Sequence, residues 1–284
     1  MTQNELNTHL GPGGTIIVEG KMLPGLCSNS DRSLGNMVRE YGEDSVMRAI
    51  SSSQQSTCLG TCLRNIELRP DDDAYEIHLP VPTEIVVVTP NGPDGVDAVI
   101  CPHSGSRDKM DAGSFKIPMF DVEYTLDEVQ PESDFDLICD SVDLLRVQFE
   151  TEVLFDLLSK SVRSQRNRID TPLSSESISS AMELIERESR IVENCVMNTR
   201  AFSRWRDHIS DNGGLLFGAR ALCCSPKKRQ NIKRNYFIGP SHMVGVFAVT
   251  PFDVQLQEGN VRVMMKMGAT IFDRSLISSV DGPV

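Results

Sequence analysis

Apolar positions in the middle of the chain repeat with the period of an α-helix. Spacings of three and four residues place them along one face of a helix, while charged residues occupy the positions between them. The apolar stripe consists of Val142, Leu145, Phe149, Val153 and Leu157. We therefore predict a long helix over residues 140–163, about 36 Å long at 1.5 Å per residue, and expect the stripe to be its packing surface.

The chain beyond this helix alternates between helical and extended patterns. A second helix is predicted to begin at Thr171–Pro172, because proline is tolerated in the first turn of a helix. Residues 191–197 indicate a short strand, and Asn198 after it is a suitable cap for a third helix that Gly213 and Gly214 end. Further strands are predicted at 215–222, 236–238, 244–250, 253–256 and 261–267.

Residues 67–126 show the alternation of a half-buried β-structure. Two β-branched runs flank a segment dense in Gly, Pro and Asn, which are turn formers. One interpretation is an ordinary antiparallel sheet. The other is a two-stranded hairpin whose projecting tip contains Asn91, Gly92 and Asp94. Because an isolated hairpin is marginally stable in water, a projecting one would have to dock on a partner.

Residues 1–66 have no sustained period and few large apolar side chains. One short helical pattern occurs near Leu34, Val38 and Met47. A segment of this composition can barely fold alone. We expect either disorder or an extended N-terminal arm that becomes ordered only by lying across neighbouring copies of the chain.

The net charge of −12 comes from the first half of the chain. Residues 1–140 carry nine Lys and Arg against 24 Asp and Glu, whereas residues 141–284 carry 19 against 16. So acidic a chain is a poor candidate for binding a DNA duplex over its whole surface, because phosphate neutralisation supplies most non-specific affinity. The asymmetry favours head-to-tail contact between copies, with acidic surface against basic.

The eight cysteines are irregularly spaced, and the first ten residues are polar. A secretory signal would need an apolar run there, and a membrane helix would need about 18 consecutive apolar residues. The sequence has neither, so we expect reduced thiols and no membrane.

Candidate chemistry along the chain is sparse. Five histidines are scattered, and no nucleophile elbow or phosphate-binding loop is present, so no catalytic or cofactor-binding residue is predicted. Cys58 and Cys62 with Cys101 and His103 form the one combination that could bind zinc, but neither pair has the spacing of a structural finger, and we predict no metal site. The vicinal pair Cys223–Cys224 lies on a predicted strand, where the two side chains face opposite sides.

A basic segment at 227–234 carries five positive charges in eight residues. It could contact nucleic acid, meet an acidic neighbouring subunit, or form a solvated loop. No aromatic residues are interleaved with the charges, as a platform for single strands would require. The charged residues are Lys227, Lys228, Arg229, Lys233 and Arg234.

The order of these segments, together with three stretches of sequence, resembles a known family. The stretches are 148–155 in the long helix, the strand-to-helix step 192–202, and the closing strands within 249–280. The chain is similar to the major capsid proteins of tailed bacteriophages, whose Hong Kong 97-type fold is shared with encapsulin nanocompartments. The resemblance covers the order of elements over residues 66–280.

The resemblance implies an α+β fold of the Hong Kong 97-like capsid type. Its parts are an N-terminal arm, an extended β-hairpin loop, a peripheral domain with a long spine helix, and an α/β axial domain. In this chain they would be the arm 1–66, the extended loop 67–126, the peripheral domain 127–170 and 249–268 with the spine helix 140–163, and the axial domain 171–248 and 269–284.

The same resemblance implies a structural subunit rather than an enzyme. Copies would assemble through hexamers and pentamers into an icosahedral shell around double-stranded DNA, without sequence-specific binding and without a cofactor. Scaffolding, portal and decoration proteins are candidate partners, with assembly in the host cytoplasm and residence in the virion. The alternatives are an encapsulin-type nanocompartment shell and a soluble enzyme with an unrecognised motif.

Contacts between subunits are expected at the hairpin tip and the basic segment. Some members of the family crosslink a lysine to an asparagine of another subunit, and Lys109 lies in the extended loop. No motif identifies an acceptor, so we do not carry that chemistry over. The candidate contact residues are Asn91, Gly92, Asp94, Lys109, Lys227, Lys228, Arg229, Lys233 and Arg234.

Overall fold

A computed structural model describes most of the chain. The described residues are 7–22, 32–52, 57–69, 74–78, 84–91, 95–102, 114–162, 167–187, 190–226, 233–257 and 259–281. The helices in these ranges are α1 (Leu34–Tyr41), α2 (Glu43–Ser52), α3 (Cys58–Cys62), α4 (Phe135–Ser161), α5 (Ser175–Glu186), α6 (Thr199–Arg204), α7 (Arg206–Asp211) and α8 (Ser241–Val244). No helix in the described ranges is long and apolar enough to cross a membrane.

Seven strands form the largest sheet of the described residues. They are β1 (Asn7–Leu10), β2 (Ile16–Lys21), β3 (Arg64–Glu67), β8 (Phe120–Asp127), β14 (Gly245–Val249), β15 (Asp253–Gln257) and β16 (Asn260–Ile271). Their order is β1-β2-β8-β16-β14-β3, with β15 also paired to β16. Strand β2 runs parallel to β8 and β14 runs parallel to β3, so the sheet joins segments distant in sequence.

Six strands form the second sheet. They are β9 (Arg168–Ile169), β10 (Asn194–Asn198), β11 (Leu215–Leu216), β12 (Ala219–Cys224), β13 (Arg234–Ile238) and β17 (Ile277–Asp281). Their order is β11-β12-β10-β13-β17-β9. Two predicted boundaries fall inside strands, because β14 spans the division at 248/249 and β16 spans the division at 268/269.

Helix α4 overlaps the predicted long helix but begins earlier, at Phe135 instead of residue 140, and ends two residues earlier, at Ser161 instead of residue 163. The cause is Asp134, whose side chain accepts hydrogen bonds from the backbone N–H groups of Asp136 and Leu137, at 3.0 and 3.2 Å. An aspartate at this position satisfies two of the N–H groups that the first turn leaves without partners.

The long helix connects the two sheets. Near its middle, the ring of Phe149 contacts Tyr124 of β8 edge to face, with 6.1 Å between ring centroids. Further along, Phe155 contacts Tyr236 of β13 in the same way, at 5.5 Å. One continuous apolar core therefore extends from the seven-stranded sheet across α4 to the six-stranded sheet.

The N-terminal segment differs from the prediction of an arm over 1–66. Strand β2 pairs with β8 from Ile16 to Lys21, and Val18 and Met22 are buried. Helices α1 to α3 and strand β3 follow, and α3 packs against α4. The expectation that this segment is ordered only on neighbouring copies is therefore wrong for its described residues, since parallel pairing with β8 and burial under this chain's own elements order it.

The segment 67–126 contains two antiparallel pairs of strands, which we together call the ribbon. Strand β4 (Ala74–His78) pairs with β7 (Ser114–Pro118), and β5 (Glu84–Asn91) pairs with β6 (Gly95–Pro102), each pair forming its own two-stranded sheet. The interpretation as one ordinary antiparallel sheet is therefore wrong for the described residues. The predicted end at 126 is also wrong, because Phe120–Asp127 belongs to the seven-stranded sheet.

Two predicted helix starts after α4 can be compared with the structure. Helix α5 begins at Ser175 because Ser174 and Ser177 form a reciprocal capping box, so the predicted start at Thr171–Pro172 is wrong. The cap at Asn198 is confirmed, since its side chain accepts a hydrogen bond from the Ala201 N–H at 2.9 Å. The third helix is divided at Trp205 into α6 and α7.

Candidate functional site

The ribbon presents backbone edges that have no partner strand within the described residues. The register of its outer pair runs from Glu84 opposite Pro102 to Asn91 opposite Gly95. Both strands of this pair therefore carry unpaired N–H and C=O groups along one side, the kind of edge that pairs with another chain. Of the predicted tip residues, Asn91 ends β5, whereas Gly92 and Asp94 lie outside the described residues.

The basic segment is described only at its C-terminal end. Lys233 is exposed and Arg234 is half-buried at the start of β13, opposite Asp281 of β17. Lys227, Lys228 and Arg229 lie outside the described residues, as does Lys109 of the extended loop. The proposed contact role of these residues remains a prediction.

The predicted packing surface of the long helix faces this chain's own core. Leu145 and Phe149 are buried, and Val153 and Leu157 are half-buried against the same core. A Cβ atom at Gly20 would lie 2.8 Å from Leu145 Cδ2, so β2 passes close to the Leu145 side chain of α4.

The long helix also buries charged side chains. Glu150 is 1% exposed and Arg146 is 7% exposed, and Arg146 pairs with Asp143 at 3.4 Å. The Arg146 guanidinium lies 5.9 Å from the centre of the Phe252 ring. A cavity of about 310 Å³ opens beside this group, bounded by Thr57 of the α3 N-terminus.

Burial raises the pKa of the Glu150 carboxyl, and the charge of Asp143 adds to that rise. A hydrogen bond with Thr57 and the charge of Arg146 oppose it. One oxygen, Oε2, has no hydrogen-bond partner among the described residues. This cluster was not predicted from the sequence, although its three charged residues repeat with the helical period directly beside the apolar stripe.

Of the metal set considered from the sequence, the structure describes the side chains of Cys58 and Cys62 only. Cys62 is buried, the side chain of Cys101 and all of His103 lie outside the description, and the described residues contain no group of three metal-ligating side chains. The opposite orientation predicted for the vicinal pair is confirmed, since Cys223 is exposed and Cys224 is buried. Instead, Cys224 meets Cys58 of α3, with 2.8 Å between the Sγ atoms.

An aromatic cluster lies at the turn between β11 and β12. Phe217 has a positive φ of 50° and is 39% exposed, and Leu215 beside it is 40% exposed. The Phe217 ring lies 5.0 Å from His208 and 5.8 Å from Trp205, measured between ring centroids. This turn therefore presents adjacent apolar side chains to its surroundings, a pattern that the sequence analysis did not identify.

Comparison with solved structures identifies the fold. A structure from Microbacterium phage Oxtober96 matches with a TM-score of 0.51 and 10% identity, covering 81% of this chain and 92% of that one. A structure from Mycobacterium phage Adephagia matches with a TM-score of 0.51 and 8% identity, covering 81% and 91%. The virus-like particle from Pyrococcus furiosus covers 84% of this chain and 96% of its own, with 12% identity and a TM-score of 0.46.

The predicted fold class is confirmed. The chain has a mixed α+β fold of the Hong Kong 97-like capsid type. Neither a protein-family model nor a curated protein sequence matches the chain.

Proposed function

We propose that this chain is the structural subunit of an icosahedral shell that encloses the double-stranded DNA of a tailed phage. The observation that carries the proposal is the capsid-type fold, which the two phage structures share over about four-fifths of the chain (81% in each case). Such a shell forms by repeated contacts between identical subunits. The exposed turn at Phe217 and the ribbon are surfaces suited to those contacts.

In this proposal the two sheets belong to the two domains of the subunit. The seven-stranded sheet with α4 forms the peripheral domain, and the six-stranded sheet with α5, α6 and α7 forms the axial domain. The exposed Phe217 and Leu215 then lie on an axial loop, where copies meet around a local symmetry axis in hexamers and pentamers. Apolar side chains at such a meeting point lose water when the ring closes.

The ribbon supplies the second contact. Strands β5 and β6 pair only with each other among the described residues, and a two-stranded ribbon alone is marginally stable. Docking on the next subunit would bury its surface and satisfy its open edges, with Asn91, Gly92 and Asp94 at the tip. Lys109, in the same loop, would lie close to that interface.

The uneven distribution of charge along the chain supports a third contact, between the basic segment of one subunit and the acidic half of the next. The basic residues Lys227 to Arg229, together with Lys233 and Arg234, would face the acidic first half of a neighbouring chain. An acidic inner wall would also repel packaged DNA and leave it free of sequence-specific contacts. Scaffolding, portal and decoration proteins would be its partners, and assembly would take place in the host cytoplasm.

The experiment is to express the chain alone and with its neighbouring genes, and to examine the product by negative-stain microscopy and sedimentation. Closed particles of uniform size or hexameric and pentameric rings would support a shell subunit. A stable, compact monomer under both conditions would refute it. Nucleic acid inside the particles would support the phage shell, whereas a co-purified protein cargo would assign the chain to a nanocompartment.

Replacing the outer ribbon tests its role in that assembly. Residues 84–102 can be exchanged for a short Gly/Ser linker, because β5 and β6 pair with each other and not with either large sheet. We expect the variant to remain folded by circular dichroism and to sediment as a subunit or small ring instead of a particle.

The matched control keeps the ribbon and changes only its tip, replacing 92–94 with three glycines. Strands β5 and β6 then remain available, so this variant should still form particles in reduced yield. Normal assembly of the ribbon-replaced variant would show that the ribbon is not a necessary contact.

A further inference from the structure

Two thiols from distant parts of the chain meet where α3 packs near the six-stranded sheet. Cys58 and Cys224 are 166 positions apart, yet their Sγ atoms lie 2.8 Å from each other. A disulfide bond is about 2.0 Å long, so a small side-chain adjustment would bring the sulfur atoms to bonding distance. We propose that Cys58 and Cys224 form an intramolecular disulfide when the folded chain meets an oxidising environment.

The surrounding cysteines make this pairing selective. Cys62 and Cys195 are fully buried, and Cys223 faces the opposite side of β12 and is exposed. Cys139 lies on the long helix, on a different element from this cluster. Among the described cysteines, Cys58 and Cys224 are the pair whose thiols are joined by a hydrogen bond.

The two thiols also differ in pKa, and this difference decides which of them attacks first in thiol–disulfide exchange. Cys58 is only half-buried, and the hydrogen bond that it receives from Cys224 lowers its pKa. The same hydrogen bond, together with burial, raises the pKa of Cys224. Cys58 is therefore the thiol that more readily becomes the attacking thiolate, and Cys224 is held beside it as the resolving thiol.

The reaction balances with a small-molecule disulfide such as oxidised glutathione as the oxidant. The Cys58 thiolate attacks one sulfur of that disulfide, forming a mixed disulfide and releasing one glutathione thiolate. Cys224 then loses its proton and attacks Cys58 Sγ, which forms the Cys58–Cys224 bond and releases the second glutathione. The protein loses two electrons and two protons, and the oxidant is reduced to two thiols.

The bond would tie the N-terminal helices to the six-stranded sheet. Thr57, directly before Cys58, hydrogen-bonds Glu150 of α4, so the crosslink would also hold α3 over the long helix. A closed loop of this length strongly restricts the unfolded chain. The disulfide would form whether or not the chain builds a shell. If it does, reduced subunits made in a cell would gain the bond after release, since virion surfaces are a setting in which disulfides persist.

The test uses the full chain and measures the bond directly. Reduced protein is incubated with graded ratios of oxidised to reduced glutathione, quenched with an alkylating agent, and mapped by mass spectrometry without reduction. We expect a linked peptide containing Cys58 and Cys224 and the loss of two free thiols. The oxidised protein should melt about 5–10 °C higher than the reduced protein.

Three variants serve as controls. Cys58→Ser and Cys224→Ser should each lose the linked peptide and the rise in melting temperature, whereas Cys223→Ser should keep both. If either serine variant fails to fold, the peptide map of the unmodified chain decides alone. Absence of the 58–224 peptide at every glutathione ratio, or linkage mainly between other cysteines, would overturn the proposal whether or not the chain forms shells.

Discussion

Glu150 is a carboxyl group buried in the middle of a helix, and its ionisation is therefore unfavourable in the folded chain. Its pKa is higher in the folded state than in the unfolded state, mainly because of burial. The resulting loss of stability is absent below the unfolded pKa of about 4.3. It grows as the pH rises and is complete above the folded pKa.

We therefore predict that Glu150→Gln becomes more stable relative to the wild type as the pH rises. The glutamine side chain would keep an oxygen that can accept from Thr57 but would carry no charge to bury. The measurement is the free energy of unfolding in urea for both proteins, from about pH 4 to about pH 8.

The control is Glu183→Gln on α5, where the side chain is 62% exposed, because it removes the same charge without changing a buried site. A wild-type-to-Glu150→Gln difference that stays constant across this pH range would contradict the interpretation of Glu150 as an ionisable group held in an unfavourable site.

Among the secondary-structure elements, β14 and β16 approach each other closely at Gly245. A Cβ atom there would lie 2.2 Å from the backbone oxygen of Thr270 and 3.1 Å from the Cα of Ile271. Because both neighbours are backbone atoms, the strands would have to separate. We predict that Gly245→Ala lowers the free energy of unfolding by about 1–3 kcal/mol, as overpacking does.

The matched control is Gly60→Ala in α3. A Cβ atom at Gly60 meets its nearest neighbour at an ordinary 3.5 Å, and alanine favours a helix more than glycine does. This variant should be as stable as the wild type or slightly more stable. Equal stability of the Gly245→Ala variant and the wild type in urea unfolding would show that the strands can separate at little cost.

Helices were predictable where the apolar period was long, and their ends were predictable only where the capping residue stood out. The stripe from Val142 to Leu157 identified α4, yet its first turn was missed because the cap at Asp134 lies about two turns before the first apolar position of the stripe. Asn198 was recognised as a cap. The start of α5 was predicted too early, at Pro172. The Ser174–Ser177 capping box that begins the helix is hard to recognise in a stretch with several serines.

At the scale of the whole molecule, the sequence indicated the capsid-type fold but misplaced the N-terminal segment. Strand β2 has its partner at β8, about a hundred residues later (Ile16 opposite Val122), and parallel pairing at that distance leaves no local pattern. The burial of Glu150 was not predicted, because helix α3, which packs against α4, was not predicted. The ribbon was better predicted, because its two strands are adjacent in sequence and their turn residues are characteristic.

Contacts between subunits depend on charge as well as on shape. If Lys227, Lys228 and Arg229 face the acidic half of a neighbour, replacing all three by glutamate turns attraction into repulsion. Each exposed pair contributes at most about 1 kcal/mol, so we predict that the concentration needed for assembly rises about tenfold. Added salt should weaken wild-type assembly, since charges at the surface are screened beyond about 10 Å at 0.1 M.

Light scattering against protein concentration, at low and high salt, measures both effects. The control replaces the exposed Arg39, Arg48 and Arg204 by glutamate, which changes the net charge equally at other sites. A tenfold shift in the control as well would assign the effect to net charge alone. Unchanged assembly combined with altered DNA content would place the basic segment on the inner wall of the shell, because a segment facing the lumen acts on the genome and not on the neighbouring subunit.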